Sequence, residues 1–401
     1  MRIVNVEDYF LPDTGYQINI LPKYLKSFGH DVWIVTSETK GVKKKNISFF
    51  GTDNIVDRDK KYESLTGVKI IRVKPLLKKP LFNRIVQSNK IFKIVKSLEP
   101  DVVFVHGNDT LTAIRFIRKG QRHFKIVTDS HMLDMASKNK FHKLFSRYYK
   151  LFVTPKIVKN KIPVIRTQND DYVKRTFNIP LSQSPWISYG SDTMLFKPNF
   201  FVKKDFRKEH NIDDNDFVII YAGKLDETKG GLFLANVFKN KFSCSKKIVL
   251  ILVGNSPDNK YGYELDKLFE TSHNRIIRFP TQKYFDLPKF YQASDLAIFP
   301  KQCSLSFYDA QACGLPVLSE DNNINVDRCN YNNGWNFRSG SVEDMRNKIE
   351  FIANMNKDDF MIYSKNAYDF IESEYDYSKK AKEYESVLLS VLGEVKNNAK
   401  S

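Results

Sequence analysis

Short apolar runs recur along this chain, separated by stretches whose apolar positions return every three or four residues. In the first half the runs Arg2–Val6, Asp31–Thr36, Val68–Val73, Asp101–His106, Lys125–Thr128 and Val164–Thr167 predict β-strands. Several are apolar almost throughout, which suits parallel strands covered on both faces. Between them, Gln17–Phe28 sets Ile18, Leu21, Leu25 and Phe28 at helical spacing. Pro22 is awkward inside that helix because it lacks an N–H. Asn83–Leu98 sets Ile85, Val86, Phe92, Val95 and Leu98 on one helical face. The second half repeats the scheme with Phe217–Ala222, Lys247–Val253, Arg275–Phe279, Leu296–Phe299 and Pro316–Ser319. Strand–helix alternation implies βαβ units, right-handed crossovers and doubly wound α/β sheets.

A chain of 401 residues exceeds one ordinary core, so two domains are expected. The linker Asp192–Phe201, with Pro198, divides them into residues 1–195 and 196–376. Residues 377–401 read as a C-terminal helix, which could return to the first domain, followed by a tail expected to be disordered after Gly393. Cys244, Cys303, Cys313 and Cys329 show no CxxC or Cys/His metal spacing and read as reduced cytosolic thiols. Glu7 and Asp8 interrupt the first apolar run, which excludes a signal peptide there. No segment approaches the roughly 18 apolar residues of a membrane span. The expected location is the cytoplasm.

Charge is unevenly spread. Residues 1–200 hold 36 Lys and Arg against 17 Asp and Glu, a net +19; the remaining 28 against 29 give −1. From Met135 to Asn169 nine Lys and Arg occur without one acid. A genome-wide lysine bias would touch both halves, so the excess points to an anionic partner. Phe141, Leu144, Phe145, Tyr148 and Phe152 recur through this stretch at helical spacing. Two readings stand: a basic amphipathic helix for an anionic membrane surface, or a helix whose apolar face is core. No nucleic-acid-binding motif is present.

The densest chemistry lies in Phe299–Val317. After the apolar run Leu296–Phe299 come two hydroxyls, Ser304 and Ser306, at an expected helix start. Asp309 sits one turn inside, and Gly314-Leu315-Pro316 stops the helix. A helix N-terminus suits phosphate, and an acid near it can accept hydrogen bonds from sugar hydroxyls. One of the two serines would serve as N-cap. Upstream, Gly223-Lys224-Leu225-Asp226-Glu227-Thr228-Lys229-Gly230 follows another apolar run. Lys224 and Lys229 would neutralise a departing diphosphate, the kind of charge stabilisation that dominates many catalysed reactions. With no metal-ligand cluster visible, the expected reaction needs no metal and no cofactor. Gly15 would allow backbone approach to a diphosphate, or is only a turn residue. Together these segments predict a site for a nucleotide-linked sugar.

In order along the chain, these pieces resemble the retaining GT-B glycosyltransferases of the family 4 type. Asp13-Thr14-Gly15, the helix after it and Phe28–Val32 are similar to the family's N-terminal part. Gly190-Ser-Asp-Thr-Met-Leu-Phe-Lys-Pro198 is similar to its Gly-x-Asp-x-x-x-Phe-x-Pro segment. Gly223–Gly230, Leu252–Pro257 and Leu287–Asp295 follow in register. The resemblance implies two facing Rossmann-like domains with a cleft between them, the second binding the donor. It implies contact of His131, after Lys125–Thr128, with the donor sugar; His106 is the rival and would line the acceptor pocket. It places the nucleobase near Pro280-Thr281-Gln282. The implied acceptor is a glycolipid or polysaccharide met by the basic half at the cytoplasmic face of a membrane. Two features depart from the family. Members carry two glutamates separated by seven residues; here the second is Asp309 and the first is absent, with Ser304-Leu305-Ser306 in a shortened turn. Lys224 stands where many members have Arg. The absent glutamate leaves room for a catalytically silent scaffold, and a GT-B sugar epimerase is the other alternative.

Overall fold

The computed structural model describes residues 1–38, 54–77, 84–131, 141–301 and 305–393. Ser304, Cys303, the basic run 40–45, Lys79, Lys138, Lys140 and the tail after Gly393 lie outside them. The chain divides into two compact units, Met1–Tyr189 with the segment from Tyr377 onward, and Gly190–Asp376.

The first unit holds a six-stranded parallel sheet: β1 (Arg2–Glu7), β2 (Asp31–Ser37), β3 (Lys69–Val73), β4 (Val102–Val105), β5 (Lys125–Ser130) and β6 (Val164–Arg166), in the order β3-β2-β1-β4-β5-β6. Its strands are apolar because both faces are covered. Val4, Val6, Val103 and Val105 pack with Phe116, Tyr149 and Phe177 from the surrounding helices. The helix Gln17–Ser27 runs through Pro22 without a break. The C-terminal helix Tyr377–Ser390 belongs to this unit. Tyr377 stacks on Tyr24 at 5.8 Å, and Glu385 Oε1 lies 2.6 Å from His30 Nε2.

The second unit repeats the plan with β7 (Phe217–Ala222), β8 (Ile248–Val253), β9 (Arg275–Phe279), β10 (Leu296–Phe299), β11 (Val317–Glu320) and β12 (Gly334–Phe337). Its order, β12-β11-β10-β7-β8-β9, is that of the first sheet read from the other side. Ile219, Leu250, Leu252 and Leu318 pack with Phe238, Met345 and Ile349. In both sheets the order reverses beside the first strand, between β1 and β4 and between β7 and β10. A doubly wound sheet offers its ligand crevice beyond the strand carboxyl ends at such a point.

Three expectations need correction. The helix expected over Asn83–Leu98 begins only at Lys90. Ahead of it the chain is extended, and the Leu76 N–H donates to the Val86 carbonyl at 2.8 Å, which the β-branched pair Ile85-Val86 accommodates. Strand β12 was not foreseen. The first unit ends at Tyr189, ahead of the expected 195, because the next residues are tied to the second unit. Ser191 N–H donates to the Tyr375 carbonyl, Thr193 bonds Asp376, and Phe196 packs on Tyr284 and Tyr291. Among the described residues no helix is long and apolar enough to cross a membrane.

Candidate active site

In the second unit the sequence builds a lysine-bearing turn past β7. Gly254 at the end of β8 lies so close that a Cβ on it would stand 2.1 Å from the Gly223 carbonyl. Only glycine permits that approach. Tyr221 then donates its hydroxyl to the Lys224 carbonyl at 2.6 Å, and Asp226 Oδ1 accepts the Lys229 N–H at 3.2 Å. Gly230 turns through a left-handed φ of +76°, starting the helix Gly231–Val237. Lys301, two residues beyond β10, closes the group. Its Nζ donates to the Glu227 carbonyl at 3.0 Å, and its Cγ lies 3.2 Å from where a Gly230 Cβ would stand. Lys224, Lys229 and Lys301 thus sit around one turn at the switch between β7 and β10.

Thr281 stands beyond β9 at the same edge, its N–H donating to Asn255 Oδ1 at 3.2 Å. Ser306 is the first residue of the helix Ser306–Ala312. Neither serine is seen as N-cap: Leu305 holds that place and makes no side-chain cap bond, and Ser304 lies outside the described residues. Asp309, in the first turn of that helix, is buried and accepts the Ser191 hydroxyl at 2.7 Å. Burial, helped by the nearby Asp192 and opposed by the Ser191 hydrogen bond, pushes its carboxyl up to about 7. Sequence reasoning missed Lys301. The contact that brings it to this turn spans 74 residues of sequence, beyond the reach of local pattern.

In the first unit the carboxyl edge is acidic and histidine-rich. Glu7 ends β1 and Asp8 follows it, and burial pushes both carboxyls above their ordinary range. His106 follows β4 and lies between Asp129 and Asn5, with its Nδ1 3.0 Å from Asp129 Oδ2 and its Nε2 3.2 Å from Asn5 Oδ1. Asp129, fully buried in β5, also accepts the Gly107 N–H at 2.6 Å and faces His131 Nε2 at 3.0 Å. The second His131 nitrogen, Nδ1, lies 2.5 Å from the Tyr189 hydroxyl. The His131 side chain is 33 % exposed. Burial opposes it, yet the Asp129 carboxylate and Tyr189 raise the His131 pKa well above its usual value. Burial likewise opposes, but His131 and His106 hold Asp129 far below the carboxylate range. His106, Asp129 and His131 are close enough together to take a metal ion. Both Asp129 oxygens already accept N–H groups, so the cluster reads as a hydrogen-bonded relay. Gly15 lies in the turn just ahead of the helix Gln17–Ser27.

The basic stretch divides. In the helix His142–Phe152, Tyr149 is buried, and Phe145 and Tyr148 pack on the core. Phe141, Leu144, Leu151 and Phe152 stand exposed, each more than half accessible, beside the exposed Lys143, Arg147 and Lys150.

Residues 202–370 match the model of the Glycosyl transferases group 1, and residues 18–159 that of Glycosyltransferase Family 4. The chain is 26 % identical over 271 residues to the uncharacterized glycosyltransferase MJ1059 of Methanocaldococcus jannaschii, covering 63 % of this chain and 64 % of that protein. It is 29 % identical over 126 residues to the lipopolysaccharide 1,2-N-acetylglucosaminetransferase of Salmonella typhimurium, covering 29 % of this chain and 33 % of that one. The chain therefore spans less than two thirds of either relative's length. Among solved structures it is similar to a glycosyltransferase from Rickettsia africae, with a TM-score of 0.75, 17 % identity and 98 % of each chain covered. It is also similar to Anabaena Alr3699/HepE in complex with UDP and glucose, with a TM-score of 0.69, 16 % identity, 97 % of this chain and 100 % of that one covered.

Proposed function

We propose that this chain, whose two units match the Glycosyltransferase Family 4 and Glycosyl transferases group 1 models and which has the GT-B fold, is a family 4 type glycosyltransferase that moves a hexose-type sugar from a nucleotide-diphosphate donor to an acceptor hydroxyl. The observation that carries this reading is the lysine turn at the β7–β10 switch, where Lys224, Lys229 and Lys301 surround one crevice edge. A leaving diphosphate needs fixed positive charge where its own charge develops. Lys224 and Lys229 take that role, with Gly223 allowing close backbone approach and Thr281 toward the nucleobase. Ser304, Ser306 and Asp309 hold donor hydroxyls. The first unit's candidates are His131, for contact with the donor sugar, and Gly15, for backbone approach to a diphosphate. The reaction is metal-independent, and retention at the anomeric carbon rests on the resemblance alone.

The acceptor is lipid-linked or a polysaccharide. Support comes from the lipopolysaccharide in the Salmonella relative's name and from the exposed apolar and basic face of His142–Phe152. That face suits peripheral contact with an anionic membrane on its cytoplasmic side.

The test is a thermal-shift screen of the purified protein across UDP-, GDP-, ADP- and dTDP-sugars, followed by transfer with the donor that shifts it. No shift, no donor hydrolysis and no transfer would sink the assignment and leave the silent scaffold. A sugar epimerase is the second reading. Glu7, Asp8, His106, Asp129 and His131 supply the acids and histidines it would want. Sugar exchange without any acceptor would reveal it.

A further inference from the structure

We propose that Asp129, His131 and Tyr189 form one relay whose terminal hydroxyl, on Tyr189, is the group that touches substrate, with Asp129 a positioning residue behind it. The proposal rests on the transferase reading and changes which atom of the first unit does the work. Both ring nitrogens of His131 are engaged, Nε2 with Asp129 at 3.0 Å and Nδ1 with the Tyr189 hydroxyl at 2.5 Å. No ring nitrogen is left to contact a sugar. Both oxygens of Asp129 are engaged as well, by His106, His131 and the Gly107 N–H. A phenol can donate once and accept as well. The remaining hydrogen-bonding capacity of the chain of groups therefore lies on Tyr189, which is half-buried and stacked on His131 at 6.0 Å with an interplanar angle of 12°.

The arrangement is that of a hydroxyl, an imidazole and a carboxylate in line, a constellation defined by geometry and roles rather than by sequence order. Its direction follows from the ring's charge. A charged His131 gives one N–H to Asp129 and one to the Tyr189 oxygen, so the tyrosine must turn its own O–H outward as a donor. A neutral ring keeps only the N–H toward Asp129 and accepts a hydrogen bond from the tyrosine O–H instead, leaving Tyr189 only its acceptor lone pairs for substrate. Asp129 favours the charged ring. Tyr189 then offers a strengthened O–H to a substrate oxygen that gains negative charge. Among the described residues, His106 on the far side of Asp129, Glu7 from β1 and Tyr384 from the C-terminal helix are the other ionisable groups facing this relay.

Tyr189→Phe keeps the ring and removes only the hydroxyl, so it tests the idea without threatening the fold. With the donor that shifts the wild type, kcat should fall about 10²-fold and KM should hold within about twofold. His131→Gln should fall equally, and the double variant no further, because the groups act as a unit. Wild-type kcat in Tyr189→Phe alongside an impaired His131→Gln, or additive losses in the double variant, would overturn the proposal. A second arm needs no substrate: NMR of the His131 ring nitrogens in labelled protein. The Nδ1 resonance should move in Tyr189→Phe, and Asp129→Asn should lower the pH at which the ring titrates. An unmoved Nδ1 resonance overturns the relay. Failure of the wild type to bind or turn over any nucleotide sugar, with the ring shifts as expected, would instead overturn the transferase reading.

Discussion

In the first unit the strand ends β1, β4 and β5 deliver Glu7, Asp8, His106 and Asp129 to one edge; in the second, β7 and β10 lead into Lys224, Lys229 and Lys301. The two sheets have one strand order, so topology fixed where each site lies and left its chemistry open. The first edge gathers carboxylates and histidines that hydrogen-bond one another. The second is built from fixed cations, with the buried acid Asp309 bonded to Ser191 and Asp192 near it. Under the proposed function, proton handling falls to the first unit and charge neutralisation to the second.

The sharpest way to break that division is through Asp309, the titrating group in the lysine-bearing unit. Its folded pKa of about 7 lies above that of an unfolded aspartate. The native state therefore holds its proton while the unfolded chain has lost it. Stability is full below the ordinary carboxylate value and falls as pH rises through about 7. Asp309→Asn should be more stable than wild type in alkaline buffer, by up to on the order of 4 kcal/mol, and equal to it below about pH 4. Denaturant midpoints across pH check this; equal midpoints in alkali would show an ordinary aspartate.

Next in size is the lysine turn. Lys229→Ala should cost about 2–4 kcal/mol in the transition state while leaving the unfolding midpoint almost unmoved. Wild-type turnover by that variant would remove the turn from the site.

A smaller effect separates the units by surface. Each basic residue near an anionic bilayer contributes about 1 kcal/mol, screened within a Debye length of roughly 8 Å at physiological salt. Replacing Lys143, Arg147 and Lys150 with Gln should weaken flotation with anionic vesicles at low salt and spare nucleotide-sugar binding. A wild type that ignores such vesicles would make the charge excess compositional. The smallest expected effect is none: excess EDTA should leave turnover unchanged. A strict Mg²⁺ requirement would mean that the lysines do not carry the leaving-group charge.

Much of this architecture could be read from the chain because parallel strands buried on both faces are apolar throughout. Phe217–Ala222, Arg275–Phe279 and Leu296–Phe299 were bounded to the residue. β12 escaped because an edge strand reading Gly-Trp-Asn-Phe carries no such run. The helix before β4 was overextended because Ile85 and Val86 fit a helical face by spacing yet pair as extended chain. The turn around Lys224 and Lys229 was legible because its residues are contiguous. The partners that set protonation were not. Tyr189 reaches His131 across 58 residues, and Ser191 reaches Asp309 across 118, separations at which local pattern carries no information.

One feature of the second unit reaches beyond chemistry. Ser191 and Asp376, near its two ends, are paired as parallel neighbours, and Thr193 and Ser191 both bond the returning segment. The chain enters and leaves this unit side by side. In topological terms it is a guest set within a host whose own chain resumes at Tyr377. Adjoining ends of this kind let a unit be excised or exchanged without cutting an element of its host.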